Sequence, residues 1–170
     1  NMLQSLFSSQ IGTLGVVFVV IMIMFVVLFR SLYLAVIGMI PNLLAASVVL
    51  GTMGWMKVPL DIMTITVAAI SVGMAVDNTI HYIHRFKLEF RKTSNYEVSM
   101  KNSHNTIGRA MFYTSTTIII GFLVLVTSNF NPTVYFGLFV SLAMFMALMG
   151  ALTLLPQLLM ILKPLGKEES

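Results

Sequence analysis

Charged residues are scarce in this sequence, and cysteine is absent altogether. Only 9% of the 170 residues are charged, whereas soluble domains carry roughly 25%, so water cannot be the solvent for most of the surface. The absence of cysteine excludes disulfides and thiolate metal sites. The chain begins at Asn1 and shows no signal-peptide pattern, so we expect it to be a fragment or an excised domain of a longer protein.

Long apolar runs are what the sequence has instead of charge, since 58% of its residues are hydrophobic. A helix needs about 20 apolar residues to cross the hydrocarbon core. Runs this long do not alternate as strands do, and helices satisfy every backbone group in lipid. We therefore predict an all-α, polytopic membrane helical bundle, a single transmembrane domain over residues 1–170. Its five transmembrane helices are expected at about residues 11–29, 32–55, 60–84, 110–127 and 134–162, with a cytoplasmic linker at 85–109.

The basic residues lie almost entirely on one side of these predicted helices. Nine of the ten fall after the first, third or fifth helix, and Lys57 alone falls on the other side. Because Lys and Arg mark the cytoplasmic side, we predict a multi-pass protein of the inner (plasma) membrane, with its N-terminus outside and its C-terminus in the cytoplasm. Ser94 and Glu97 have capping-box spacing, which predicts a short surface helix at about residues 95–106. His104, in this polar segment, is expected to be solvated.

One carboxylate is predicted to lie deep in the bilayer. Asp77 comes eight residues before Arg85, which puts it about 12 Å inside the helix end. A charge at such depth costs about 2.5–3.5 kcal/mol on insertion scales and is usually functional. His81 and then His84 continue the same stripe toward the cytoplasm, so His81 is a candidate proton relay to Asp77. Gly73, one turn before Asp77, would allow another helix to approach closely.

Other interpretations of this stripe stay open. Asp77 could be a protonated or hydrogen-bonded carboxyl kept for packing, and both histidines could be ordinary interfacial residues. Read as metal ligands, the three side chains converge poorly and lack a fourth ligand, so we predict no metal site. We also predict no catalytic residues, because an intramembrane hydrolase needs a Ser/His or paired-Asp arrangement and only one aspartate lies at depth.

A hydroxyl run in the fourth predicted helix offers polar neighbours for that carboxyl. Four hydroxyl residues follow one another from Thr114 to Thr117, and Thr117 lies eight residues after Arg109, at about the depth of Asp77. Helices joined by a short connection tend to pack together, so we expect these hydroxyls to solvate Asp77. Gly121 is expected to permit close packing one turn beyond. Alternatively, each hydroxyl bonds the carbonyl four residues earlier.

Three segments together resemble one known family. Helix three is similar to the fourth-helix signature of the resistance-nodulation-division (RND) superfamily, most closely its MMPL branch and more distantly Patched and the sterol-sensing domain. Order and spacing match across nearly the whole chain. The matching segments are Gly73-Met-Ala-Val-Asp77-Asn-Thr-Ile-His81-Tyr-Ile-His-Arg85-Phe; Gly108-Arg-Ala with Thr114-Ser-Thr-Thr117, Gly121-Phe, Asn131-Pro132 and Phe136-Gly137; and Leu152-Thr-Leu-Leu-Pro156-Gln-Leu-Leu.

The resemblance implies both an architecture and a role for Asp77. Each half of such a protein has six helices, with a large extracytoplasmic porter domain between the first and the second. This chain resembles helices two to six of one half, and the C-terminal half is favoured because residues 163–170 look like a chain end. Asp77 corresponds to the proton-relay carboxylate, with the run from Thr114 to Thr117 as its polar neighbours. Many relatives have a tyrosine or a second acid directly after this aspartate. This chain has Asn78 there, which resembles the sterol-sensing branch as well.

The predicted function is the membrane domain of a proton-motive-force-driven exporter of hydrophobic or amphiphilic substrates. It would be a secondary active transporter and not an enzyme, with protons as the coupling ion and no cofactor. The expected partners are the lipid bilayer, the other transmembrane half and the porter domain of the same protein, and a hydrophobic small-molecule or lipid substrate. Nucleic acid is not expected, and a homo-oligomer is left open. The alternative is a non-pumping, lipid- or sterol-sensing membrane module.

Overall fold

The computed structural model describes residues 2–58 and 62–166, and these fold into a bundle of helices. A π turn at His104–Gly108 joins α4 to α5, a second at Gly150–Leu154 joins α6 to α7, and a 3-10 turn at Leu125–Thr127 ends α5. The described residues contain no β-strand, which confirms the predicted all-α class. The helices are α1 (Met2–Phe29), α2 (Leu32–Trp55), α3 (Ile62–Thr93), α4 (Tyr96–Ser103), α5 (Arg109–Val124), α6 (Asn131–Met149) and α7 (Leu155–Leu162).

The bundle carries the long apolar helices that a membrane requires. Within the described residues, three continuous helical segments are long and apolar enough to cross a bilayer, namely Leu32–Trp55, Tyr96–Thr127 and Asn131–Leu162. A shorter apolar helix, Gly15–Phe29, accompanies them. Large hydrophobic side chains on their outer faces are exposed, Val27 and Trp55 among them. Since hydrocarbon is the solvent that suits such a surface, the molecule is a membrane helical bundle.

The connection between α1 and α2 is the tight turn expected at residues 30 and 31. Arg30 adopts a left-handed backbone with φ of 52°. Ser31 is extended, and its side chain accepts a hydrogen bond from the Leu34 N–H at 3.4 Å, which caps α2. Lys87 donates from Nζ to the Phe29 carbonyl at 2.9 Å, so a cation from α3 closes the end of α1. We call the end of the bundle that holds Arg30, Lys87, α4 and the end of α7 the basic end.

The third helix runs well past the membrane boundary at residue 84 that composition suggests. It continues to Thr93 because its polar stretch is amphipathic, with Phe86 and Phe90 buried against the Tyr96 ring of α4. The expected short helix follows as α4, but Ser94 is not its capping residue. Ser94 has φ of 49°, whereas an N-cap needs an extended backbone. Asn95 has that backbone, and its side chain accepts from the Val98 N–H at 3.1 Å.

The centre of the bundle is held by small residues. α3 packs against α2, α4 and α6, while α5 packs along α6 and α1 along α2. Ala45, Ala75 and Ala147, one each from α2, α3 and α6, form a buried cluster of their own. Small side chains let helix backbones approach closely in lipid, where there is no hydrophobic drive to associate. Larger apolar side chains fill the core toward both ends of the helices.

Candidate functional site

Asp77 and His81 form a close pair on the outer surface of α3. Nε2 of His81 lies 3.3 Å from Oδ1 of Asp77, and the two side chains are 58% and 70% exposed, respectively. Gly73, one turn earlier, is exposed as well, and a Cβ built there would meet no atom within 4 Å. His84 is also exposed. We call Gly73, Asp77, His81 and His84 the acid stripe; the described helices leave it uncovered.

The opposite face of the same turn is buried and polar. Thr79 donates from Oγ1 toward Oδ1 of Asn42 at 3.2 Å and toward the Ala75 carbonyl at 3.1 Å. Asn42, itself buried next to Pro41 in α2, donates from Nδ2 to the Gly38 carbonyl at 2.8 Å. A polar tie between α2 and α3 therefore lies directly behind the acid stripe.

Asn78, the residue that departs from the family pattern, points inward. Its side chain is buried, and its Nδ2 has no hydrogen-bond acceptor among the described residues. A buried amide left in this state is costly. Asn78 therefore does not extend the exposed acid stripe, although it follows Asp77 directly in the chain.

The threonines of α5 are placed apart from the acid stripe. Thr114 donates to the Ala110 carbonyl and Thr117 to the Tyr113 carbonyl, both at 2.9 Å. Both side chains are exposed, as is Gly121, around which a built Cβ would meet no atom within 4 Å. Within the described residues, α5 packs along α6 and has no extensive interface with α3. A role for these threonines at Asp77 stays a prediction.

His104 was expected to be solvated, and that expectation is wrong. Its Nδ1 lies 2.8 Å from the hydroxyl of Tyr82, and its Nε2 lies 2.9 Å from the carbonyl oxygen of Leu152. The His104 and Tyr82 rings meet edge to face, with centroids 5.5 Å apart. Leu152 comes four residues before Pro156, which has no N–H to bond that carbonyl within an α-helix. The proline indicates that an α-helical bond to this carbonyl is missing, but the sequence does not show which side chain reaches it.

A second polar group joins α3 to α4 at the basic end. The buried Glu89 carboxylate lies 2.9 Å from the Arg85 guanidinium and 3.2 Å from the Lys92 ammonium, and it accepts from the Asn102 amide at 3.3 Å. The pKa of Glu89 lies below its usual value, chiefly because the carboxylate accepts a hydrogen bond from Lys92. Burial opposes this shift, while the Asn102 hydrogen bond and the charges of Lys92 and Arg85 add to it.

Lys87 lies at the same end of the bundle. Burial, and then the charges of Arg91 and Arg30, lower the pKa of Lys87.

Over the residues that the structure describes, no three His, Cys, Asp or Glu side chains are grouped so as to hold a metal ion. Among the described residues, polar side chains therefore meet at the acid stripe, the Thr79–Asn42 contact, the His104 contacts and the Glu89 group.

These features occur along a chain that matches one family model nearly end to end. The model of the MMPL family matches residues 1–168. The chain belongs to the MMPL family. This membership confirms the RND-type, MMPL-branch resemblance drawn from the three sequence segments.

Other members share sequence with this MMPL chain over most of its length. The membrane protein MJ1562 of Methanocaldococcus jannaschii is 28% identical over 91% of the chain. Two proteins named hopanoid transporter HpnN match as well, at 26% identity over 95% of the chain in Rhodopseudomonas palustris and 23% over 89% in Burkholderia multivorans. The chain spans 39% of the archaeal protein and 18% of each hopanoid transporter. No solved structure matches it.

Proposed function

We propose that this chain is part of the membrane domain of a secondary active exporter, driven by the proton motive force, that moves hydrophobic or amphiphilic molecules. Protons are its coupling ion, and it needs no cofactor. Membership of the MMPL family supports transport, and the names of the two hopanoid transporters support a hydrophobic cargo. The single observation that carries the proton step is the pairing of Asp77 with His81.

The pair is suited to passing a proton. When the imidazole is protonated at Nε2, this nitrogen can donate to the Asp77 carboxylate across 3.3 Å. When the proton is on the carboxyl, the same nitrogen can accept. Asp77 and His81 are one turn apart on one helix, so the exchange requires no movement of the backbone. We assign Asp77 the role of loading and releasing the proton and His81 that of relaying it toward the basic end.

The exposure of this pair supports a partner outside the chain. A charge at bilayer depth costs about 2.5–3.5 kcal/mol on insertion scales when it lacks polar company, and Asp77 is 70% exposed. In the proposal, the other transmembrane half of the longer protein covers the acid stripe. Gly73 and Gly121 would let its helices approach, and Thr114 and Thr117 would contribute hydroxyls beside the relay.

The remaining assignments follow the family architecture and the distribution of charge. The chain corresponds to helices two to six of one half, and a porter domain receives the cargo. The basic end faces the cytoplasm, and the N-terminus lies outside the inner membrane, because nine of the ten basic residues follow the first, third or fifth predicted helix.

The test is neutralisation of Asp77 in the full-length protein, reconstituted in liposomes with an imposed proton gradient. We expect Asp77→Asn to abolish both export of the probe, Nile red, and the proton flux that accompanies it. Glu97→Gln, which removes an exposed carboxylate outside the predicted spans, is the matched control and should retain both. Undiminished proton-coupled export in Asp77→Asn would contradict the proposal, and lipid binding indifferent to pH and to this change would favour a lipid-sensing module.

A further inference from the structure

We infer that His104 is a positioning residue that transmits movement of α3 to the two helical rods α4–α5 and α6–α7. The inference rests on the proposed proton-driven cycle, because it gives that cycle a path from Asp77 to the rest of the membrane domain. The inference is based on two contacts of the His104 imidazole: with Tyr82, 22 residues away in the sequence, and with Leu152, 48 residues away.

The hydrogen bonds determine how the ring is used. The Leu152 oxygen is a carbonyl and can only accept, so Nε2 of His104 must carry the hydrogen. Nδ1 lies 2.8 Å from the Tyr82 hydroxyl and 3.2 Å from the Met100 carbonyl oxygen. In the neutral ring Nδ1 accepts from the hydroxyl, which is the closer of the two groups. Pro156 has no N–H to give the Leu152 carbonyl in an α-helical bond, and the imidazole donates to that carbonyl at 2.9 Å.

The ring stands where both rods depart from α-helical geometry. His104 begins one π turn, and Leu152 lies within the other. The two turns touch, since a Cβ built on Gly108 would lie 3.5 Å from Cδ2 of Leu152. π turns are rare and are common at functional sites, and helices bend most sharply at such interruptions. A displacement delivered here can bend both rods without breaking either one.

Tyr82 connects this point to the acid stripe. It lies five residues after Asp77 on the unbroken helix α3, and it is fully buried whereas Asp77 is exposed. When protonation of Asp77 changes how the outer face of α3 packs, the helix must move as a body, and Tyr82 moves with it. The Tyr82–His104 bond then carries the displacement to α4–α5, and the His104–Leu152 bond carries it to α6–α7. Without His104, proton movement would proceed without moving the rods.

The experiment measures proton influx and Nile red export together in liposomes that contain the full-length protein. We expect His104→Ala to lower the maximal export rate about tenfold, because the displacement of α3 would no longer reach the two rods. Proton influx and the KM for the dye should stay near wild type. His104→Gln should restore export, because its amide N–H can reach the Leu152 carbonyl. Tyr82→Phe, which removes only the hydroxyl, should uncouple more mildly, and the exposed neighbour Asn105→Ala is the control.

Parallel measurements on Asp77→Asn separate the possible failures. If Asp77→Asn abolishes both fluxes and His104→Ala exports normally, the inference is wrong and the proposed function stands. If Asp77→Asn keeps proton-coupled export, the proposed function itself is wrong. Equal loss of both fluxes in His104→Ala and Tyr82→Phe, with no recovery in His104→Gln, would show a purely structural role and would overturn the inference.

Discussion

At the residue scale, consecutive side chains of α3 face opposite surroundings. Asp77 is exposed, while Asn78 and Thr79 are buried, and Thr79 is bonded to Asn42 of α2. A single helical turn therefore presents the proposed proton carrier outward and fastens the helix inward. Such an arrangement keeps α3 in register with its neighbours while its outer face is free to meet another surface.

Glu89 provides a prediction on pH. Its pKa in the fold is below the usual 4.5, so its contribution to stability is fully present above that value and is lost as the pH falls through the lowered pKa. We expect the thermal unfolding midpoint of the detergent-solubilised protein to fall as the pH is lowered from about 5 toward 3. Glu89→Gln should lower the unfolding midpoint at neutral pH. It should also reduce the fall of the midpoint at acid pH, which we call the acid limb.

The matched control for Glu89 is Glu97→Gln. Glu97 is exposed in the first turn of α4, so its neutralisation should leave the acid limb in place. An acid limb that persists unchanged in Glu89→Gln would show that the Arg85, Lys92 and Asn102 contacts do not couple this carboxylate to folding.

Residue spacing revealed some of these contacts and could not reveal others. The pairing of Asp77 with His81 follows from the geometry of one helix. The exposure of the pair could not be predicted in this way. Periodicity shows which side chains share a face of the helix, but not whether another helix covers that face. The His104–Leu152 bond joins residues 48 positions apart and depends on how two rods cross. Ser94 and Asn95 are both good capping residues, and only the backbone angle at residue 94 decides between them.

At the element scale, composition located the apolar segments better than it located the helix ends. α3 runs on to Thr93 through a charged stretch, because residues 86 and 90 keep an apolar face turned toward α4. The sequence predicts a short surface helix that ends at about residue 106, separate from the next span at about 110. In the structure a π turn at His104–Gly108 continues α4 into α5 as one rod. Hydropathy reports where water is excluded, whereas helix continuity depends on backbone hydrogen bonds that polar residues form equally well.

Gly137 marks a close approach of α6 to α5, and its replacement is the prediction at this scale. A Cβ built at Gly137 would lie 2.5 Å from the Phe122 carbonyl oxygen and 2.8 Å from the Leu125 Cβ. Neither atom can move without moving the backbone of its own segment, so Gly137→Ala must push α5 away from α6. We expect it to lower the free energy of unfolding in micelles by about 1–3 kcal/mol.

Gly51 is the matched glycine for that measurement. It lies within α2, and a Cβ built there would meet no atom within 4 Å. Gly51→Ala should therefore be neutral or slightly stabilising, since alanine is the better helix former. Equal destabilisation by both replacements would mean that the α5–α6 contact is not as close as the structure shows.

At the scale of the whole molecule, the residues proposed for the proton relay lie on the outer surface of the bundle. Gly73, Asp77 and His81 on α3 and Thr114 and Thr117 on α5 are all exposed in the described bundle. The matched relatives are much longer than this chain. In the proposed function, this exposure places the Asp77–His81 pair where the other transmembrane half would contact the bundle.

The orientation of the bundle in the membrane is directly testable because the chain has no cysteine. Lys57 and Lys101 are both exposed and lie at opposite ends. We place Lys57→Cys or Lys101→Cys in a full-length protein whose other cysteines are replaced, and treat intact cells with a membrane-impermeant maleimide. The excess of basic residues around Lys101 predicts labelling at position 57 only, with position 101 reacting after the membrane is permeabilised.

The outcome bears on the direction of the proton path. With the basic end in the cytoplasm, His81 lies on the cytoplasmic side of Asp77 and can pass an entering proton inward. Labelling at position 101 in intact cells would reverse the bundle. His81 would then stand between Asp77 and the outside, as a group that delivers protons to the carboxylate, and His104 would act on the outer side of the membrane. The orientation experiment therefore decides whether His81 serves the entry or the exit of the proton.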